Sequence, residues 1–331
     1  MAQNTPHGVH PYPIILEPIL MEKVWGGSRL ARLGKKVPAG RMVGESWELC
    51  DFGATSVSGG GGSAARSLIA NGPLAGLTIH DALEFWGAGL LGDASPTAEG
   101  NVPLLIKFLD ARENLSVQVH PSRAYAHGNP KAHLKTECWI ILDAEPGSVI
   151  YKGIRPGVTP EAFGRHIVEG TVVDDMMAFP AVVGECHNLP SGTCHALGAG
   201  VLVAEVQTPS DTTFRVHDWG RVGRELHIEQ ALACIEFGPA PAATRFAGGE
   251  GSARLVTTEY FTVDRVRTAG VINAGGGMSA WMVLDGAGRV EFGDVGIEVT
   301  MGQTFVVPAA CAADARIAAR GMIDVLCARV V

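Results

Sequence analysis

Leu115-Ser116-Val117-Gln118-Val119-His120-Pro121 alternates apolar with polar residues along its length. Side chains two apart on a β-strand point to the same face, so one face of this strand presents a hydroxyl, an amide and an imidazole together. Burying three such groups side by side is unfavourable unless each finds a partner. A metal ion meets that demand.

Two further runs offer the rest of a coordination set. In Lys135-Thr136-Glu137-Cys138-Trp139-Ile140-Ile141-Leu142, Lys135 and Glu137 share a face before the run becomes wholly apolar. In Leu189-Pro190-Ser191-Gly192-Thr193-Cys194-His195-Ala196, a Pro/Gly turn delivers His195 onto a new strand. Gln118, His120, Glu137 and His195 would make a mixed N/O site suited to Zn²⁺ or another first-row divalent ion, with room for water or substrate. Gln118 is either a ligand or a neighbour that positions substrate. The pairs Cys186-His187 and Cys194-His195 are a competing zinc set. Adjacent strand residues face opposite ways, however, and the spacing lacks a Cys-x-x-Cys knuckle. Cys138 and Cys194 read instead as small apolar residues behind the site.

The bulk properties narrow the class of protein. A formal net charge of −8 argues against nucleic acid or an anionic membrane as partner, and requires any phosphate-bearing substrate to be held by local cations. Lys107, Lys135 and Arg215 are the obvious ones. Lys107 interrupts an apolar strand-like run, Leu104-Leu-Ile-Lys-Phe-Leu109, where a Lys needs an anion: Asp110, a glutamate or a ligand. Arg215 has Asp211 and Asp218 nearby as structural partners, but its fixed fork of donors also suits ligand oxygens. No apolar run reaches membrane-spanning length, no secretory signal pattern opens the chain, and the seven Cys are irregularly spaced, which together predict a cytoplasmic protein without a disulfide framework. A monomer and a homo-oligomer both fit this sequence.

Short β-rich runs punctuated by 43 Gly and 19 Pro predict a mainly β chain with inserted helices. The helices are expected from Thr78, with Asp81 as its capping partner, to about Leu90; from Thr159-Pro160; and over about 225–236, where Ile228, Ala231, Leu232 and Ile235 form a core-facing stripe. Residues 58–63, Ser-Gly-Gly-Gly-Gly-Ser, read as a flexible surface loop, since no Gly-Lys-Ser/Thr follows to make a phosphate loop. An Ala/Gly/Pro-rich stretch after residue 240 reads as a linker between a unit of residues 1–240 and one of residues 250–331. The second unit echoes the first: Trp281-Met-Val-Leu-Asp285 matches Trp139-Ile-Ile-Leu-Asp143, and Gly302…Pro308 matches Gly184…Pro190. At the equivalent positions Ser279 stands for Glu137 and Ala313 for His195, so the second copy is expected to hold no metal.

The ligand order resembles the cupin metal site, a His-x-His strand, a later Glu and a distant His after a Pro-x-Gly turn, with Gln118 in place of the first His. Flanking segments are more specific. Pro103–Asp110, Leu115–Pro121, Lys135-Thr-Glu-Cys-Trp139, Gly192–Gly198, Ser210–Trp219, Trp25-Gly26-Gly27 and Gly44-Glu-Ser-Trp-Glu48 resemble, in order, the short bacterial class I mannose-6-phosphate isomerases. The resemblance implies two cupin-like β-barrels (jelly rolls), the second degenerate, and a zinc-dependent aldose–ketose isomerase acting on a small sugar phosphate. It also implies Lys107 and Ser116 at the phosphate end of the pocket and Arg215 stabilising an enediolate. Lys135, two residues from a metal ligand, is the expected proton carrier, because a nearby cation and partial desolvation favour its neutral amine. A cupin of another class, such as an isomerase of a different sugar phosphate or an Fe-dependent dioxygenase, would keep the metal and alter the pocket. A non-catalytic sugar-binding regulator would be expected to lose Lys135 or Arg215, and both are present.

Overall fold

The computed structural model describes residues 8–56, 60–129 and 132–331. Alternation along the strands builds it. A seven-stranded antiparallel sheet runs in the order Thr244–Arg245, Glu185–Leu189, Glu137–Ala144, Val201–Gln207, Leu105–Ala111, Ile19–Gly27, Val43–Leu49. Facing it is a five-stranded sheet ordered Met176–Pro180, Val149–Ile154, His195–Leu197, Val117–Val119, Phe214–His217. Leu109, Trp139 and Val203 from the first sheet meet Ile150 and Leu197 from the second in one buried cluster, the interior of a barrel. The alternate residues Phe108, Ile140 and Ala204 point outward into a larger core shared with the second barrel.

The expected helices form at Ile79–Trp86 with its Thr78/Asp81 capping box, Pro160–Glu169 with Pro at the start, and Ile228–Cys234. The last two pack on the outer face of the five-stranded sheet through Phe163, Ile167 and Ala231. Ser58 and Gly59 of the glycine run lie outside the described residues; residues 60–63 form a turn and bend. Two glycines of the N-terminal motifs have a steric reason. A Cβ on Gly26 would press on the backbone of Gly44, and one on Gly44 would meet Lys23 and Trp25, so these strands approach closely only as glycine.

The second barrel is an eight-stranded antiparallel sheet whose main path runs Ile14–Leu16, Thr304–Val307, Ser279–Phe292, Arg316–Val330, Phe261–Thr268, Gly251–Thr257. Its first strand comes from the N-terminus, so this sheet draws on both ends of the chain. The repeat is visible in register. Glu137 pairs with Leu189 and Trp139 with His187, while Ser279 pairs with Val307 and Trp281 with Phe305. Where the first barrel holds polar groups, the second is filled: Trp281 stacks on Phe305 with centroids 6.1 Å apart, and its indole N–H donates to Ser279 Oγ. Among the described residues no helix is long and apolar enough to cross a membrane.

Candidate metal centre and active site

His120, Glu137 and His195 converge inside the first barrel, with their ligating atoms all within 4.8 Å of one another. Strand register brings this about. His195 is the cross-strand partner of Gln118, Gln118 is also the partner of Arg215, and Glu137 arrives from the opposing sheet. Each imidazole places Nδ1 against a backbone carbonyl oxygen, His120 on Thr212 at 2.9 Å and His195 on Thr193 at 2.8 Å. Nδ1 must therefore be the protonated nitrogen, and Nε2 is left as an acceptor.

The two Nε2 atoms point at another acceptor. His120 Nε2 lies 3.6 Å from Glu137 Oε2 and His195 Nε2 lies 3.2 Å from Oε1. Burial, and then the Lys135 ammonium, push the His120 imidazole down to about 3, so its ring is neutral. Burial works against charge on Glu137, yet the Lys135 ammonium holds its carboxyl well below the usual carboxylate range. His120 Nε2 and both Glu137 oxygens are buried without a well-directed hydrogen bond from any of the described residues, although Lys135 Nζ stands 2.7 Å from Oε2. Lone pairs facing lone pairs in a buried site are what a divalent cation satisfies, and the residues present fit one. Gln118 Nε2 is 3.4 Å from His195 Nε2 while its Oε1 accepts from Ser116 Oγ at 3.1 Å; a half-turn of the amide would aim the oxygen at the centre.

Beside the triad opens a pocket whose wall includes Ser116, Gln118, Lys135, Lys107, Arg215 and Arg224. All the residues expected from the sequence thus lie at one place; Lys107 takes glutamates, one of the anions the sequence allowed, while Arg215 takes neither of its expected acids. Asp110 does not take Lys107, because it binds Arg29 at 2.8 Å; Lys107 Nζ sits 3.0 Å from Glu205 and 3.9 Å from Glu45. Trp139 and Trp47 fix these two carboxylates with indole N–H bonds of 2.7 and 2.6 Å. The carboxyl of Glu45 is lowered to about 2, burial being outweighed by Lys23 and then Lys107. Arg215 is not anchored by Asp211 or Asp218. It donates to the Glu225 carbonyl at 2.7 Å, and its buried Nε has no partner among the described residues. Asp211 instead accepts the Ser56 N–H, and Asp218 is shared by Arg221 and Arg224.

The sequence reading missed Glu45, Glu205 and Arg224. Glu205 carried a usable signal, a lone acid in the apolar strand Val201–Gln207 opposite the lone Lys of Leu105–Ala111. Arg224 carried none beyond its charge, because it lies in irregular backbone. The competing Cys-His set separates as alternation requires: Cys186 and Cys194 enter apolar cores on the outer faces of the two sheets.

Fold and site define a two-barrel β protein of cupin type whose first barrel carries a buried His/Glu/His metal centre. The family description "Phosphomannose isomerase type I, catalytic domain" matches residues 14–137. A mannose-6-phosphate isomerase of Streptococcus mutans is 32% identical, the match covering 89% of this chain and 92% of that one. One of Bacillus subtilis is 31% identical over 89% of this chain and 93% of its own. The crystal structure of the mannose 6-phosphate isomerase from Bacillus subtilis superposes with a TM-score of 0.80 at 29% identity, covering 96% of this chain and 99% of that chain. The chain belongs to the type I phosphomannose isomerase family.

Proposed function

We propose that this protein is a metal-dependent aldose–ketose isomerase that interconverts D-mannose 6-phosphate and D-fructose 6-phosphate through an enediolate. The observation that carries the reading is the convergence of buried acceptors on His120, Glu137 and His195, those of His120 and Glu137 unsatisfied, beside a pocket lined by Lys135 and Arg215 in a chain of this family.

The reaction removes a proton from the carbon beside a carbonyl and returns it to the neighbouring carbon. A divalent ion held by His120, Glu137, His195 and Gln118, which we assign as Zn²⁺, would polarise the sugar oxygens as a Lewis acid. Lys135 Nζ, on the pocket wall 2.7 Å from Glu137, is our proton carrier between the two carbons. Arg215, with a free Nε in the pocket wall, stabilises the negative charge that develops on the sugar oxygens. The phosphate lies toward Ser116 and Arg224, away from the reacting carbons, where its binding orients them. Lys107, named beside Ser116 from the sequence, is already held between two carboxylates; we assign it to ordering Glu45 and Glu205 along the wall that the sugar meets.

All seven Cys are buried and free of disulfides, which supports a reducing cytoplasm as the place of action. The test is a coupled mannose-6-phosphate assay on metal-stripped and metal-restored protein. Activity should vanish and return with the metal and be the same with and without O₂. An O₂ requirement would favour an oxygenase, and activity indifferent to metal would remove the reading.

A further inference from the structure

Gly44-Glu45-Ser46-Trp47-Glu48 runs along the strand Val43–Leu49, and alternation divides it between two surroundings. Glu45 and Trp47 face the pocket. Ser46 and Glu48 face the seam with the second barrel, both fully buried. There Glu48 Oε1 accepts from Ser46 Oγ at 2.6 Å, and Oε2 accepts from Thr304 Oγ1 at 3.0 Å and lies 2.7 Å from Lys35 Nζ. Thr304 opens a strand of the second barrel. Lys35 also donates to the carbonyl of Gly302, in the turn before that strand, and stands over the Phe108 ring at 5.1 Å. The turn is pressed against the first barrel's entry segment so closely that a Cβ on Gly302, at φ +84°, would collide with the Leu33 carbonyl.

Apolar contacts would suffice to glue two barrels, and they surround this cluster. A buried charge with a full set of directional partners adds little net stability and instead fixes geometry. On the strand's other face, Trp47 is the register partner of Lys107, its ring lies 5.3 Å from Nζ, and its indole N–H holds Glu45. Adjacent side chains hang on the same planar peptide units, so a displacement of Glu48 is passed to Trp47 and Glu45.

We infer that the second barrel sets one wall of the active pocket: Thr304 and Gly302 hold Glu48, and through this strand they fix Glu45 and Trp47. Glu48 and Thr304 are positioning residues of the site. The kinetic arm of the test rests on the isomerase reading; the spectroscopic arm does not.

Thr304→Val removes the hydroxyl and keeps the shape. At a temperature where the variant is folded and its bound metal matches wild type, kcat/KM for mannose 6-phosphate should fall about tenfold. The Trp47 indole N–H resonance, identified through Trp47→Phe, should move. Thr304→Ser, which restores the donor, should return both. A lowered melting temperature with wild-type kcat/KM and an unmoved indole resonance would reduce the cluster to a staple and overturn the inference. The resonance needs no substrate, so it judges the coupling even if mannose 6-phosphate is not turned over, a result that would remove the functional reading alone. If Thr304→Val does not fold, Ser46→Ala, which withdraws the donor to the other carboxylate oxygen, is read in the same way.

Discussion

Replacing Lys107 with Met keeps most of the side chain's volume and deletes the charge that the buried Glu205 and the partly buried Glu45 share. At an effective dielectric of about 20, unit charges at the observed 3.0 and 3.9 Å attract by about 5.5 and about 4.3 kcal/mol. Desolvation of the ammonium and the carboxylates offsets much of this, and removing one partner of such a buried group costs about 3–5 kcal/mol. For 331 residues the unfolding entropy is about 0.7 kcal/mol/K, so Lys107→Met should melt about 4–7 °C lower at pH 7. The pH dependence gives a second check. Glu45 has its folded value depressed to about 2, so its stabilising contribution is complete above the ordinary carboxylate range and is lost as pH falls through about 2. The deficit of Lys107→Met should therefore be full at neutral pH, where the carboxylates are ionised in both proteins, and shrink in acid once the variant's unpaired carboxylates take up protons. Calorimetry over pH 7 to 3 measures both. Equal melting temperatures together with a raised KM would mean that Lys107 faces phosphate and that its ion pairs are incidental. A deficit unchanged at pH 3 would mean that carboxylate charge is not involved.

His120→Ala and His195→Ala should each lose bound metal and activity together, by elemental analysis and turnover; full occupancy in both would remove the ligand assignment. The double variant should bind no metal anywhere in the chain, because Ser279 and Trp281 fill the equivalent place in the second barrel; one tightly bound ion would contradict this. Glu137→Gln should weaken metal affinity in a competitive chelator titration, since it keeps shape and loses charge, and unchanged affinity would put Glu137 outside the ligand set. Arg215→Lys should lower kcat more than it raises KM, by about 2.7–4 kcal/mol if the guanidinium serves the developing charge. A raised KM with kcat intact would move Arg215 to ground-state phosphate binding.

The ligands were legible because they sit on strands or, for His120, one residue past the end of one, where alternation fixes the face and a Pro/Gly turn marks where His195 re-enters. The second barrel was legible from its repeated Trp and Pro positions, and register bears out the pairing of Ser279 with the place of Glu137. What stayed hidden depends on which strands become neighbours. Lys107 meets Glu205 because their strands are adjacent in the sheet, and nothing local to either strand states that adjacency. Ile14-Ile15-Leu16 is apolar throughout, so it carries no alternation to reveal the sheet it joins. Arg224 reaches the pocket from a loop, where no period exists to aim a side chain.

That short first strand has a consequence for how the protein is made. Ile14 pairs with Val306, a partner about 290 residues away. At about 5–20 residues per second of synthesis, the strand emerges about 15–60 s before the edge it needs exists. Until then Ile14-Ile15-Leu16 has partners on one side only, where Ala70 N–H donates to the Ile15 carbonyl and Leu16 bridges Ile69, and its other edge stays open, the kind of edge that recruits wrong partners. The seam joins residues 14–16 to residues 304–306, which are made long after them. Removing the first sixteen residues would accordingly not trim a tail: it would leave Thr304–Val307 as a bare edge, in the strand that also carries the hydroxyl bound to Glu48.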